Sequence, residues 1–321
     1  MNSKIGSMRK FFLLLVFQIV LVATTLQAQS PAAVRYASGQ VDLNDPTRVD
    51  VALVLAVDVS SSIKSHERRF QREAYAAALS DLRVANIALG GGAGRIAIAY
   101  MEWSGRRFQR VLLPMRVMTS PAELAEFAHD ILSIEDQTND PMFVQPTAVG
   151  DALLAAEAVM AALPVRAAEY IIDISGDGVV NDGSAVVAAR EHLLSLGLTV
   201  NGLPIEVTGE VPEHEDVSHD RVARFYADCV IGGPGAFHLI ARGFTDVRET
   251  LIMKLMLEMA QMTPMRKRQI AMAWNGGSIE THLPVVPATV LQIAPPASPP
   301  RPATDCGDGT HFGRVPTGAI R

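Results

Sequence analysis

The chain has 321 residues, 49% of them hydrophobic, and a formal net charge of −6. That is enough apolar material for a sizeable core and argues against global disorder, within a length that suits one large domain or two small ones. The acidic balance argues against a nucleic-acid partner, whose phosphates call for a basic excess.

The chain opens as a secretory signal would. Lys4, Arg9 and Lys10 form a positive start, and residues 11–25 are apolar, broken mainly by Gln18. Small residues follow, with Ala28 the best last residue of a signal, although Leu26 stands two places before it. The apolar run matches a signal core of about 7–15 residues and falls short of the ~20 of a spanning helix. An uncleaved membrane anchor is the competing reading. We expect residues 1–28 to be a signal, the protein to be periplasmic or secreted, and no stable membrane span after cleavage. Cleavage would remove three positive charges and no negative ones, leaving a more acidic chain. No cysteine lies near the cleavage region, which disfavours a lipid anchor. Residues 29–48 are polar and mixed, a leader into the domain.

Residues 49–265 alternate strand-like and helix-like segments. Residues 51–57 are a β-branched and aliphatic run, as in a strand buried on both faces. Residues 65–82 read as a helix, with Phe70, Ala74, Ala78 and Leu82 at helical spacing. A glycine-rich connection at 90–94 leads to a strand at 95–103. A short turn around Gly105 leads to a strand at 110–117, predicted to run antiparallel at an edge. Helices are predicted at 121–132 and 146–163, the second with Pro146 in its first turn, where a missing N–H costs little. Then come strand 169–175, helix 184–196, strand 198–204, helix 221–228, strand 236–240 and a closing amphipathic helix at 246–262. This alternation predicts an α/β fold: a doubly wound, mostly parallel central sheet with one antiparallel edge strand.

Residues 266–321 form the remaining tail, with eight prolines from residue 284 onward, including Pro295–Pro296 and Pro299–Pro300. It is expected to be disordered. Of the two cysteines, Cys306 lies in this tail and Cys229 in a folded-looking segment. An exported chain meets an oxidising compartment, so one disulfide and two separate thiols both stay open.

In doubly wound sheets, ligands bind beyond the carboxyl ends of the strands. The first strand ends in Asp58-Val59-Ser60-Ser61-Ser62, and another in Ser175-Gly176-Asp177-Gly178. Thr147 opens the helix between them. Alternate residues leaving a strand can face the same way, so Ser60 and Ser62 would point where Asp58 points. Two carboxylates and three hydroxyls are hard oxygen donors, suited to Mg²⁺, or to Mn²⁺ or Ca²⁺, rather than to zinc or copper. A divalent ion would relieve the repulsion between the acids. The competing reading is an Asp and two serines at an ordinary helix start.

Asp58, Ser60, Ser62, Thr147 and Asp177, in that order and context, resemble the metal-ion-dependent adhesion site of the von Willebrand factor A superfamily. That pattern is DxSxS, then a distant Thr, then a distant Asp in a strand-ending turn. The phrases at 51–58, 100–104 and 229–237 look like a bacterial branch of that superfamily known as a domain of unknown function. The resemblance covers about residues 49–265. It implies a Rossmann-like von Willebrand factor A fold and a non-enzymatic, adhesion-type binding role. The implied partner is a protein presenting an Asp or Glu carboxylate to an open position on the ion. The pattern departs in two places: Gln145-Pro146 precede Thr147, where glycines are usual, and Gly176 replaces the usual Thr before Asp177.

Other signals compete with blander readings. Glu102 and Ser104 lie near a strand end, where they would support the metal site or simply make a turn. Asp151 lies one turn after Thr147, where it would orient site water or favour the helix dipole. Ser61 and Lys64 fit SxxK, the nucleophile motif of penicillin-binding acyl-transferases and hydrolases, but no Lys-Thr-Gly partner follows. His214 and His219 sit in an acidic stretch but fall about 140° apart on a helix, which favours a solvated loop. The glycines at 90–94 precede a strand rather than follow one, the wrong context for a phosphate loop. Met253, Met256, Met259, Met262 and Met265 recur every third residue, with core packing the default.

Overall fold

The computed structural model describes residues 36, 48–135, 146–206, 221–260, 262–275 and 306–307. The expected signal at 1–28, nearly all of the leader, the His214–His219 stretch and the proline pairs of the tail lie outside these residues.

Strand β1 (Arg48–Asp58) is the centre of the sheet, and all eleven of its residues are buried. Its aliphatic run allows that: β-branched side chains pack on both faces of a pleated strand. It pairs in parallel with β2 (Ile96–Trp103) on one side and β4 (Arg166–Gly176) on the other. β3 (Gln109–Met118) is antiparallel to β2 at one edge, and β5 (Thr199–Pro204) is parallel to β4. The order is β3-β2-β1-β4-β5. The fold is therefore α/β and doubly wound, with one antiparallel edge strand. The winding reverses between β1 and β4, and that reversal opens a crevice at their carboxyl ends.

Helices cover both faces. Val51, Leu53, Leu55 and Val57 enter one core with α1 (Ser65–Leu79), α2 (Leu82–Ala88), α3 (Pro121–Leu132) and α7 (Val247–Met259). Ala52, Val54 and Ala56 face the other core, with α4 (Val149–Ala161), α5 (Val186–Leu196) and α6 (Arg221–Phe225). The period of two along β1 thus divides its side chains between the cores. No helix among the described residues is long and apolar enough to cross a membrane.

Several local expectations are corrected. The helix expected at 65–82 is two, because Asp81 adopts an extended conformation and its side chain accepts from Arg83 N at 2.8 Å, capping α2. The strand expected at 236–240 forms only isolated bridges, Gly202 of β5 with His238 and Ile205 just after β5 with Ala241. Gly202 N donates to Phe237 O, Leu239 N to Gly202 O, Ala241 N to Pro204 O and Glu206 N to Ala241 O. Pro204 has no N–H, so this ladder lacks its middle rung. The helix expected at 221–228 continues past Phe225 as a π turn, Tyr226–Val230. Of the methionines, Met256 and Met259 are buried, while Met262 and Met265 lie beyond α7 and are exposed.

The glycine connection does more than link elements. Ala93 N and Gly94 N both donate to the Asp50 carboxylate, at 2.9 Å, and Gly94 takes a φ of +64°. A Cβ on Gly91 would lie 2.4 Å from Asp50 Oδ2. The loop wraps a buried acid at the amino end of β1.

Two features reach past residue 265, where the sequence reading ends the domain. Helix α8 (Pro264–Asn275) sets Lys267 Nζ 2.8 Å from Glu169 Oε2 and 3.2 Å from Glu258 O. Cys229 and Cys306 form a disulfide, with Cα atoms 5.5 Å apart. That decides between the two alternatives for the cysteines.

Beneath the sheet lies a cluster of ionisable groups. Lys254 of α7 meets Asp173 of β4 at 2.7 Å and contacts Glu258, and all three side chains are wholly buried. Asn201 Nδ2 donates to Glu258 at 3.0 Å, and Asn201 Oδ1 accepts from Phe237 N at 3.1 Å. Burial pushes the Glu258 carboxyl up to about 7, helped by the charge of Asp173.

Candidate metal centre

Asp58 is the last residue of β1, and Asp177 follows the last residue of β4. Because these strands are parallel neighbours, both acids emerge at the crevice. Asp58 is fully buried and Ser60 nearly so, Asp177 is half-buried and Ser62 is exposed. The chain turns sharply after the strand. Ser60 N donates to Asp58 Oδ1 at 2.7 Å, and Ile63 N donates to Ser60 O at 3.0 Å. Ser60 Oγ and Ser62 Oγ are 3.2 Å apart, and Ser62 Oγ donates to Asp177 Oδ1 at 2.7 Å. Four of the five expected site residues thus form one string from Asp58 to Asp177.

Thr147 is buried beside the same loop. A Cβ on Gly178 would lie 3.6 Å from Thr147 Oγ1. The sequence reading has Thr147 open the helix; instead α4 begins at Val149 and Thr147 precedes it. Its backbone is held elsewhere. Asn181 Oδ1 accepts from Thr147 N at 2.7 Å, and Asn181 N donates to Thr147 O at 3.1 Å. The loop after Asp177 therefore fixes Thr147 as well.

Three supports come from residues that sequence reasoning passed over. Gln71 Nε2 donates to Asp58 O at 3.2 Å. Tyr75 OH donates to Ser175 Oγ at 3.2 Å. Tyr226, fully buried in the π turn, brings its hydroxyl behind Gly176. A Cβ on Gly176 would lie 2.8 Å from both Tyr226 OH and Asp58 Oδ2. The usual Thr has no room at this position, which accounts for the glycine.

Asp58 Oδ2 is buried and has no hydrogen-bond partner among the described residues. Burial, and then the charge of Asp177, push the Asp58 carboxyl up to about 8. Burial also raises Asp177. Two desolvated acids linked through Ser60 and Ser62, one with a bare oxygen, fit a cation with hard oxygen ligands. Among the described residues no group of three or more His, Cys, Asp or Glu could hold a metal. A cation here would therefore depend on the hydroxyls.

A pH dependence follows. The folded chain favours the protonated forms of Asp58 and Glu258, so their contribution to stability is complete below about pH 4 and is lost as pH rises through about 7–8. In chelator, the melting temperature is expected to fall between about pH 5.5 and 8.5, and Asp58→Asn to flatten part of that fall. Calorimetry across this range checks it; a flat wild-type profile would contradict it.

The other candidates lie elsewhere. Glu102 makes a bidentate pair with Arg72, at 2.7 and 2.8 Å, so it braces α1 against β2 instead of joining the site. Ser104 O accepts from Ala148 N at 2.9 Å, next to Thr147. Asp151 accepts from Ser184 N at 2.6 Å, linking α4 to the loop before α5. Ser61 and Lys64 are exposed in the turn before α1 and do not share a helical turn.

Fold and site together define an α/β protein with an acid–hydroxyl cluster at the switch point of its sheet. The chain belongs to the family described as "Protein of unknown function (DUF1194)", whose model matches residues 48–263. No curated protein matches it. Among solved structures it is similar to proximal thread matrix protein 1 from the mussel byssus, at 14% identity and a TM-score of 0.44, over 65% of this chain and 48% of that one. Another structure of that protein, 16% identical with a TM-score of 0.44 over 65% of this chain and 48% of that one, is described with a zinc-occupied MIDAS motif. The pilus adhesin SpaC from Lactobacillus rhamnosus GG is similar at 13% identity and a TM-score of 0.47, over 66% and 31%. The chain spans about half the length of the mussel protein and a third of the adhesin.

Proposed function

We propose that this chain is an exported von Willebrand factor A-type domain that binds a protein partner through one divalent cation. The ligands are Asp58, Ser60, Ser62, Thr147 and Asp177, acting directly or through water. Mg²⁺ suits this oxygen set, and Mn²⁺ or Ca²⁺ are the alternatives. The observation that carries the reading is the buried Asp58 Oδ2, without a hydrogen-bond partner among the described residues, near a second acid and a string of hydroxyls. An isolated buried carboxylate is costly, and a cation removes that cost.

The chain's own residues have separate tasks. Asp58 and Asp177 provide the negative charge, the hydroxyls complete the shell, and Asn181 and Gln71 hold the backbone in place. The bound cation supplies a positive charge with an open position, on which an Asp or Glu carboxylate of the partner can settle. The reading assigns no nucleophile and no catalytic role. Export is supported by the signal-like start and by the disulfide, which persists in oxidising compartments.

The test is Mn²⁺ or Mg²⁺ added to chelator-treated protein, followed by thermal unfolding. A ligand that binds only the folded state stabilises it by about 2.7 kcal/mol at a hundredfold excess over its Kd. A rise in melting temperature is expected, together with cation-dependent capture of a partner from the native envelope. An unchanged melting temperature removes the reading.

A further inference from the structure

The disulfide ties one support of the candidate site to a tail segment that lies against another. Cys229 is fully buried in the π turn that also carries Tyr226. Tyr226 OH stands behind Gly176, at the place where a Cβ would also meet Asp58 Oδ2. At the other end of the bond, Cys306 packs against the core of that face, as Val179, Val180 and Val187 also do. Gly307 follows with a φ of +65°, in the left-handed region, and a Cβ on it would lie 2.6 Å from Val180 Cγ1. Val180 stands between Asp177 and Asn181, and Asn181 is the residue that holds Thr147. The bond thus ties the turn behind Asp58 to a short segment, Cys306–Gly307, that lies against Val180 of the loop carrying Asp177.

We infer that the Cys229–Cys306 disulfide is a positioning element of the site, clamping the loop at 177–182 onto the π turn. The inference rests on the cation reading above and goes beyond it: the site is assembled while the bond is oxidised and loosens when the bond is lost. The physical reason is the site's dependence on a loop. Asp177 and the Asn181–Thr147 contact have no strand ladder of their own beyond Gly176, since β4 ends there. A segment held covalently to the π turn gives such a loop a fixed surface to pack on where backbone pairing does not.

The test compares the oxidised full chain with Cys306→Ser, and with Gly307→Ala, which keeps the bond but crowds Val180. Mn²⁺ affinity is read by calorimetric titration well below melting. Hydrogen exchange of amides 177–182 is read in metal-free protein. Loss of an outer support typically weakens metal binding about 10–100-fold. Cys306→Ser is expected to bind Mn²⁺ at least roughly tenfold more weakly, with faster exchange at 177–182, and Gly307→Ala to move the same way. Asp81→Ala, which removes the cap of α2, is the control for lost stability alone.

Equal affinity and equal exchange in wild type and Cys306→Ser would overturn the clamp and leave the cation site standing. Equal weakening by Asp81→Ala would overturn it as well. If wild type binds no Mn²⁺, the cation reading falls, and exchange alone decides: an unchanged rate at 177–182 overturns the clamp, and a faster one sustains it. Should Cys306→Ser fail to fold, Gly307→Ala carries the comparison.

Discussion

Lys254→Met is expected to destabilise the protein by about 3–5 kcal/mol, the usual cost of leaving buried charges without their partner. Lys254 is the cation that the structure places between Asp173 and Glu258, and none of the three has any exposure. Methionine keeps the length of the side chain, so little of the loss would come from an empty space. Two carboxyl groups would remain in the core with no opposite charge and would have to take up protons. A domain of this size loses roughly 2–4 °C per kcal/mol, so the melting temperature should fall by about 10 °C. Adding Asp173→Asn and Glu258→Gln is expected to recover part of the loss, because neutral amides remove the charge that Lys254 balanced. Urea denaturation of the single and triple variants measures both effects. A single variant as stable as wild type would mean that the cluster contributes nothing.

Asp58→Ala is expected to abolish the response of the melting temperature to Mg²⁺ or Mn²⁺ altogether. In chelator the same variant should be about as stable as wild type, or more so. The reason is that Asp58 carries opposite consequences in the two conditions. Without a cation it is a buried acid with one bare oxygen beside a second acid, raised to about 8. With a cation, the same oxygen becomes a ligand. Removing it therefore relieves a cost in one condition and removes a gain in the other. Thermal unfolding of both proteins, with and without metal, gives the four values required. Equal responses of the two proteins to metal would contradict the assignment of Asp58.

Much of the fold was legible from pattern alone. The apolar run at 51–57 and the strand–helix alternation after it identified a parallel sheet with covered faces, and the short turn at Gly105 identified its antiparallel edge. The break at Ser80–Asp81 was not seen, because the apolar spacing continues through it while the backbone turns at a cap. The missing rung at Pro204 becomes visible only when the register with residues 237–241 is known. At the site, Asp58 and Asp177 could be found because each ends a strand, and strand ends can be read locally. Tyr226, Gln71 and Asn181 could not. Their roles arise from contacts across tens to more than a hundred residues, and nothing in their local sequence marks them. The disulfide stayed open for the same reason: its partners are 77 residues apart, and one of them stands among prolines.

Pro204 also bears on how the molecule can meet others. Sheets commonly recruit partners sideways, by adding a strand to a free edge. Beyond β5, residues 237–241 already occupy the rim, in a ladder that Pro204 interrupts. At the opposite rim, β3 carries Pro114, flanked by Arg110 and Arg116, and its pairing with β2 slips near Tyr100. Neither rim offers the long, regular row of donors and acceptors that an incoming strand needs. Among the described residues, both rims therefore disfavour growth of the sheet from chain to chain. The binding proposed above uses neither rim: it places the partner at the ends of the strands, where side chains and not the backbone would hold it.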